Sequence, residues 1–126
     1  MPLTHIALRS GKSESYRKAI CDSFHRAMTE TFDVSEDNDF IIITEHDAAN
    51  FRYDANYLGI DRSSDLVFIQ ITANNTRTIE QKKALFSRVA TALAEDPGLR
   101  SEDIFISLVE VEKENWSLGN GLAQYA

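Results

Sequence analysis

The chain reads as alternating stretches of strand-like and helix-like apolar patterning. The run from Leu3 to Leu8 predicts a first strand. From about Ser13 to Phe32 the apolar residues Tyr16, Ile20, Phe24, Ala27 and Met28 fall at helical spacing and mark one face. Ser13 opens that helix, because its hydroxyl can accept from exposed first-turn amides. Asp39 to Thr44, with its run of isoleucines, predicts a second strand. A polar stretch from His46 to Ser64, containing Tyr53, Tyr57 and Gly59, predicts a loop or hairpin. The order then returns. Leu66 to Thr72 predicts a strand, and Thr78-Ile79-Glu80-Gln81 has the form of a capping box. Leu85, Val89 and Leu93 carry the apolar face of the second helix, and Pro97-Gly98 end it. Asp103 to Val111 predicts a fourth strand. The tail from Asn115 to Ala126 has turn signals at Gly119-Asn120-Gly121 and is expected to form a short hairpin.

Two halves are visible, each reading strand, helix, strand. Ser35-Glu36-Asp37 announces one second strand and Ser101-Glu102-Asp103 the other, and glutamates end them, Glu45 and Glu110. The expected fold is α+β: duplicated β-α-β units, about 2–45 and 65–111, forming one four-stranded sheet in a single domain over 1–126. Right-handed crossovers make the strands of each unit parallel and place both helices on one face. Yet Phe40-Ile41-Ile42-Ile43 and Leu66-Val67-Phe68-Ile69 are apolar on both faces, as in strands buried on two sides. Two helices cannot cover two faces. The uncovered face is therefore expected to be buried in an oligomer.

Composition narrows the function. Hydrophobic residues make up 43% of 126, enough for a packed core. The net charge of -7, with no basic stripe, argues against nucleic acid and anionic membrane surfaces. No apolar run is long enough to span a bilayer, and the N-terminus has no secretory pattern, so a cytoplasmic location is expected. Cys21 is the only cysteine, which excludes an intramolecular disulfide. His5, His25 and His46 are scattered and without a partner at ligand spacing, so no metal site is expected; His46 alone lies near a strand end. The absence of a glycine-rich phosphate loop speaks for chemistry without a nucleotide cofactor.

Met1-Pro2-Leu3, Phe32 with Val34, the segment Thr76-Arg77-Thr78-Ile79-Glu80-Gln81-Lys82, and Trp116-Ser117-Leu118-Gly119-Asn120-Gly121 carry a resemblance to a known family. With two β-α-β halves, the chain resembles the tautomerase superfamily, nearest its malonate semialdehyde decarboxylase branch. The resemblance covers nearly the whole chain. It implies a homotrimer with active sites between subunits, no cofactor, and a small carboxylate substrate.

Pro2 is then the first candidate. Aminopeptidases remove Met before a small residue, which would leave Pro2 with a free secondary amine. A low-dielectric pocket with nearby cations lowers the pKa of such an amine and makes it a base near neutral pH. Left protonated it is a general acid, and unprotonated it can also attack a carbonyl. Arg77, between the third strand and the second helix, is the second candidate. Its guanidinium can hold a substrate carboxylate by two parallel hydrogen bonds and can depress the Pro2 pKa.

The chain departs from the decarboxylase pattern in two places. Where that family carries a second arginine, this chain has Asn75. Where it carries an aspartate before the second strand, ungapped matching puts Asn38, flanked by Asp37 and Asp39. Both asparagines can donate to a carbonyl or enolate oxygen. Trp116, Leu118 and Tyr125 match positions that wall the family's pocket, and such walls exclude water. For Leu118 and Tyr125, subunit packing is an equal alternative.

The expected activity is cofactor-independent tautomerisation of a small 2-oxo acid or related enol, an isomerase reaction that asks for one base, one anchor and one oxygen partner. The alternatives are a lyase or hydratase acting on a 3-carbon oxo acid such as malonate semialdehyde, and a non-catalytic oligomeric binding module.

Overall fold

A computed structural model describes residues 2–126, and Met1 lies outside the described residues. Strand β1 (Leu3–Arg9) buries Thr4, Ile6 and Leu8 and turns the alternate side chains outward. Helix α1 (Glu14–Thr31) begins where its cap predicts: the Ser13 hydroxyl accepts from the Tyr16 amide at 3.1 Å. Ile20, Phe24, Ala27 and Met28 are buried and Tyr16 is half-buried, so the helical spacing marked the core face correctly. Strand β2 (Ile41–His46) starts later than the pattern predicts. A turn in which the Asn38 amide donates to Ser35 carbonyl holds the preceding residues out of the ladder.

Strand β3 (Val67–Asn74) is followed by helix α2 (Ile79–Glu95) and strand β4 (Ile104–Val111). The capping box is complete: Thr78 and Gln81 each accept with a side chain from the other's backbone amide. The sheet order is β2-β1-β3-β4. β1 runs parallel to β2 and β3 parallel to β4, while β1 and β3 pair antiparallel. The two helices pack on each other and on one face of the sheet. Phe24, Phe32, Ile6, Ile69, Leu85 and Leu93 are all fully buried there. Each such large side chain contributes about 1.5–3 kcal/mol through removal from water.

The duplication extends to side-chain contacts. Arg17, four residues after its cap, pairs with Glu45 at 3.1 Å; Lys82, four residues after its own, pairs with Glu110 at 2.7 Å. The repeated glutamates noted in the sequence thus tie each helix to the second strand of its half.

The opposite sheet face is open. Ile42 is 56% exposed, and Leu3, Phe105 and Val109 are also exposed on it. The segment between β2 and β3 covers only part of this face, burying Phe51 against Phe68 with ring centroids 5.2 Å apart. That segment forms two 3-10 turns rather than a hairpin, and it is moored where Ser63 donates backbone and hydroxyl hydrogens to the buried Asp103 carboxylate, both at 2.7 Å. Arg62 makes no ion pair with Asp61 or Asp65; it donates to the carbonyls of Asp54 and Tyr57.

The expected C-terminal hairpin over 115–126 is a correction. Those residues form turns without strands. Gly119, Asn120 and Gly121 have φ of 139°, 60° and 68°, a run of left-handed backbone that no ladder accommodates. Gln124 closes the loop, accepting from the Leu118 amide and donating to the Gly119 carbonyl. No helix among the described residues is long and apolar enough to cross a membrane.

Candidate active site

One end of the sheet gathers the start of β1 with the C-terminal ends of β3 and β4. The β1–β3 ladder pairs Leu3 with Thr72, and the β3–β4 ladder ends on Asn74 with Val111. Pro2, which is buried, therefore lies at the same end as Asn75, Arg77 and Glu112, although most of the chain separates them in sequence. Antiparallel pairing of the two halves is what brings them together.

Arg77 is half-buried and bound more tightly than a solvated loop arginine. Its Nε and Nη2 donate to the Phe32 carbonyl at 3.3 and 2.7 Å, and its guanidinium lies 4.9 Å from the centroid of the Phe32 ring. Phe32 is the C-cap of α1, whose last turn has no basic residue of its own. Arg77 thus supplies, from the other half, the positive charge that a helix C-terminus favours. Burial pulls the Arg77 pKa below its ordinary value, while Asp33 and Tyr125 act the other way. The Nε edge of the guanidinium is spent on Phe32. The end-on edge, formed by Nη1 and the second Nη2 hydrogen, has no protein acceptor among the described residues.

Four of the other sequence-predicted residues divide between two clefts. Asn75 and Tyr125 line an open cleft of about 340 Å³ with Glu112, Lys113 and Glu114. In it Asn75 Nδ2 donates to Glu112 Oε1 at 2.9 Å, and the Asn75 amide donates to the Val111 carbonyl. Trp116 and Leu118 line a second cleft, of about 210 Å³, with Leu3 and Phe40 beside the start of β1. Trp116 Nε1 donates to the Oδ1 of Asn74, itself buried, at 2.7 Å, which fixes the indole against β3. Asn38 lines neither cleft. Its Oδ1 is buried and has no hydrogen-bond partner. Such an orphaned acceptor is rare, because desolvation of an unpaired amide oxygen costs about 1–3 kcal/mol.

The internal repeat shows how the two sheet ends differ. β1 and β2 pair over the same sequence separation as β3 and β4, since Thr4 faces Ile41 and Val67 faces Ile104. Pro2 therefore corresponds to Asp65 in the second half. Likewise Arg77, just before the Thr78 cap, corresponds to Lys12, just before Ser13. At that opposite end Lys12 Nζ bonds Asp65 Oδ1 at 2.7 Å. Donating a hydrogen bond to Asp65 raises the Lys12 pKa, with burial opposing it. At one end an ion pair engages the cation, on the rim of a cleft of about 220 Å³; at the other, a proline stands at the position of the carboxylate and the cation keeps a free edge.

Sequence reasoning missed Glu112 and the Phe32 carbonyl. Glu112 had a signal, the acidic run Glu110-Val111-Glu112-Lys113-Glu114 following a strand. The Phe32 carbonyl had none, since a backbone acceptor leaves no trace in residue type.

Comparison with known proteins places this geometry. Family descriptions of tautomerase enzymes match residues 2–59 and residues 37–119. The probable tautomerase YusQ of Bacillus subtilis (strain 168) is 40% identical over 98% of this chain and 98% of its own. The chain belongs to the tautomerase family of enzymes. Among solved structures it is similar to a malonate semialdehyde decarboxylase studied for decarboxylase and hydratase activities: 28% identity, TM-score 0.92, 98% of this chain and 95% of that one. It is also similar to the FG41 malonate semialdehyde decarboxylase inhibited by 3-bromopropiolate: 35% identity, TM-score 0.91, 98% and 93% covered. A symmetric trimer of fused 4-OT shares the fold alone, at 18% identity and TM-score 0.80, with 98% and 97% covered.

Proposed function

We propose that the chain is a cofactor-independent tautomerase of small 2-oxo acids or related enols, with the Pro2 amine, freed by loss of Met1, as the proton-transfer group. The observation that carries this reading is the strand end where Pro2 stands at the position that Asp65 takes at the counterpart end, so that Arg77, unlike the paired Lys12, keeps one donor edge. In the enolising direction the Pro2 nitrogen takes a proton from the carbon next to the 2-oxo group. The C–H electrons form the carbon–carbon double bond, and the carbonyl electrons move to oxygen. The free edge of Arg77 holds the substrate carboxylate, and the second Nδ2 hydrogen of Asn75, the one not given to Glu112, donates to the developing oxyanion. A solvent water gives the oxyanion the proton that completes the enol. Ketonisation runs the same path backwards: water takes the enol hydroxyl proton while protonated Pro2 delivers its proton to carbon. Trp116, Leu118 and Tyr125 limit water around the amine, which favours its neutral form.

The test is ketonisation of phenylenolpyruvate followed by ultraviolet absorbance, on protein whose intact mass shows Met1 absent. A rate above background is expected; none would overturn the reading. The open apolar sheet face supports a homotrimer. Light scattering is expected to give three times the 14.2 kDa chain mass, and a stable monomer would sink that part.

A second reading, decarboxylation or hydration of a 3-carbon oxo acid, is favoured by the likeness to the decarboxylase structures. Asn75 and Asn38 speak against it, because neither supplies the charge of the arginine or aspartate. Carbon dioxide release from malonate semialdehyde, faster than enol ketonisation, would put this reading first.

A further inference from the structure

We infer that Glu112 makes the site selective for substrates with a single carboxylate, seating a neutral hydrogen-bond donor rather than a second carboxylate against Asn75. The inference rests on the tautomerase reading and adds the charge class of the substrate. Arg77 offers one end-on edge, enough for one carboxylate, because its other edge is held by the Phe32 carbonyl. The neighbouring cleft of about 340 Å³ offers no guanidinium. Its amide donor, Asn75 Nδ2, already points at Glu112 Oε1, 2.9 Å away. Glu112 and Glu114 outnumber Lys113 there, and Asp33 lies close enough to bear on Arg77. A hydroxyl or amide reaching this cleft can donate to the Glu112 carboxylate beside Asn75. A carboxylate must approach within about 5 Å of the Glu112 charge, and repulsion at that range in partly screened surroundings is worth roughly tenfold in affinity.

The experiment compares the binding of hexanoate and hexanedioate, two saturated acids of equal chain length, to the Met1-free protein by calorimetry at low salt. The native chain is expected to bind the monocarboxylate about tenfold tighter, and Glu112→Gln to reduce that preference to about twofold. Added salt is expected to shrink the difference in the native chain and not in the variant. Equal or tighter binding of hexanedioate by the native chain, an unchanged ratio in Glu112→Gln, or binding of neither acid would overturn the inference. Binding of saturated acids needs no turnover. Selectivity without enol ketonisation would therefore sink the reaction and keep the charge rule. Pro2-dependent ketonisation without selectivity would do the opposite.

Discussion

Pro2→Ala is expected to lower kcat for enol ketonisation by about 100- to 1000-fold, the range a well-placed general base contributes. The loss should be incomplete, because alanine at the N-terminus still presents a primary amine with an ordinary pKa of about 8. What disappears is the ring, which fixes the nitrogen and aims its lone pair. A chain extended by one residue before Pro2 makes the sharper comparison. There the nitrogen is an amide with no basic lone pair, and the fall is expected to reach about 10,000-fold, the upper end of that range. Neither change touches the β1 ladder, whose outermost backbone bond to the second strand runs from the Thr4 amide to the Phe40 carbonyl. Thermal stability is therefore expected to move by only about 1 kcal/mol or less. Steady-state kinetics with melting curves check both statements. Activity unchanged in the extended chain would remove Pro2 from the mechanism.

Arg77→Ala is expected to reduce kcat/KM by about 100- to 1000-fold, chiefly through KM. Losing a charged double hydrogen bond to a carboxylate costs about 3–4 kcal/mol. The same variant leaves the Phe32 carbonyl without its donors, and stability is expected to fall by about 1–3 kcal/mol. Arg77→Lys separates the two effects: it keeps the charge near the end of α1 and loses the planar fork, so stability recovers more than KM does. The pH profile gives a third readout. A nearby cation disfavours protonated Pro2 and depresses its pKa. Removing that cation raises the pKa, so the acid limb of kcat/KM should move to higher pH in Arg77→Ala. A limb that stays in place would show that Arg77 anchors substrate without tuning the amine.

The local features of the fold were readable because their causes are local. Ser13 and the Thr78–Gln81 box cap helices through contacts three residues away, and both occur as read. The apolar face of each helix follows from spacing alone. The start of β2 was read less well: the turn at Ser35–Asn38 delays it, and although Ser35, Asp37 and Asn38 are turn-forming residues, their extent did not set where the ladder begins. Gly119-Asn120-Gly121 was read as a hairpin turn because its composition suits one. Three consecutive left-handed residues and the Gln124 clasp make it a closed loop instead. Arg77 was singled out by residue type and position, while its bond to Phe32 lies across the two halves and depends on how α1 ends against α2.

By itself the sequence determined the elements, their duplication, and the presence of one amine candidate and one guanidinium. These depend on side-chain chemistry and on spacing within a turn or a strand. Only the tertiary structure decided that Pro2 and Arg77 share a sheet end, because that follows from the antiparallel register of β1 on β3. It alone decided that Lys12 pairs with Asp65 at the counterpart end, that Arg77 has a single free edge, and that Asn75 is tied to Glu112. Each of these is a contact between residues far apart in the chain, and packing of the whole core sets which of them meet.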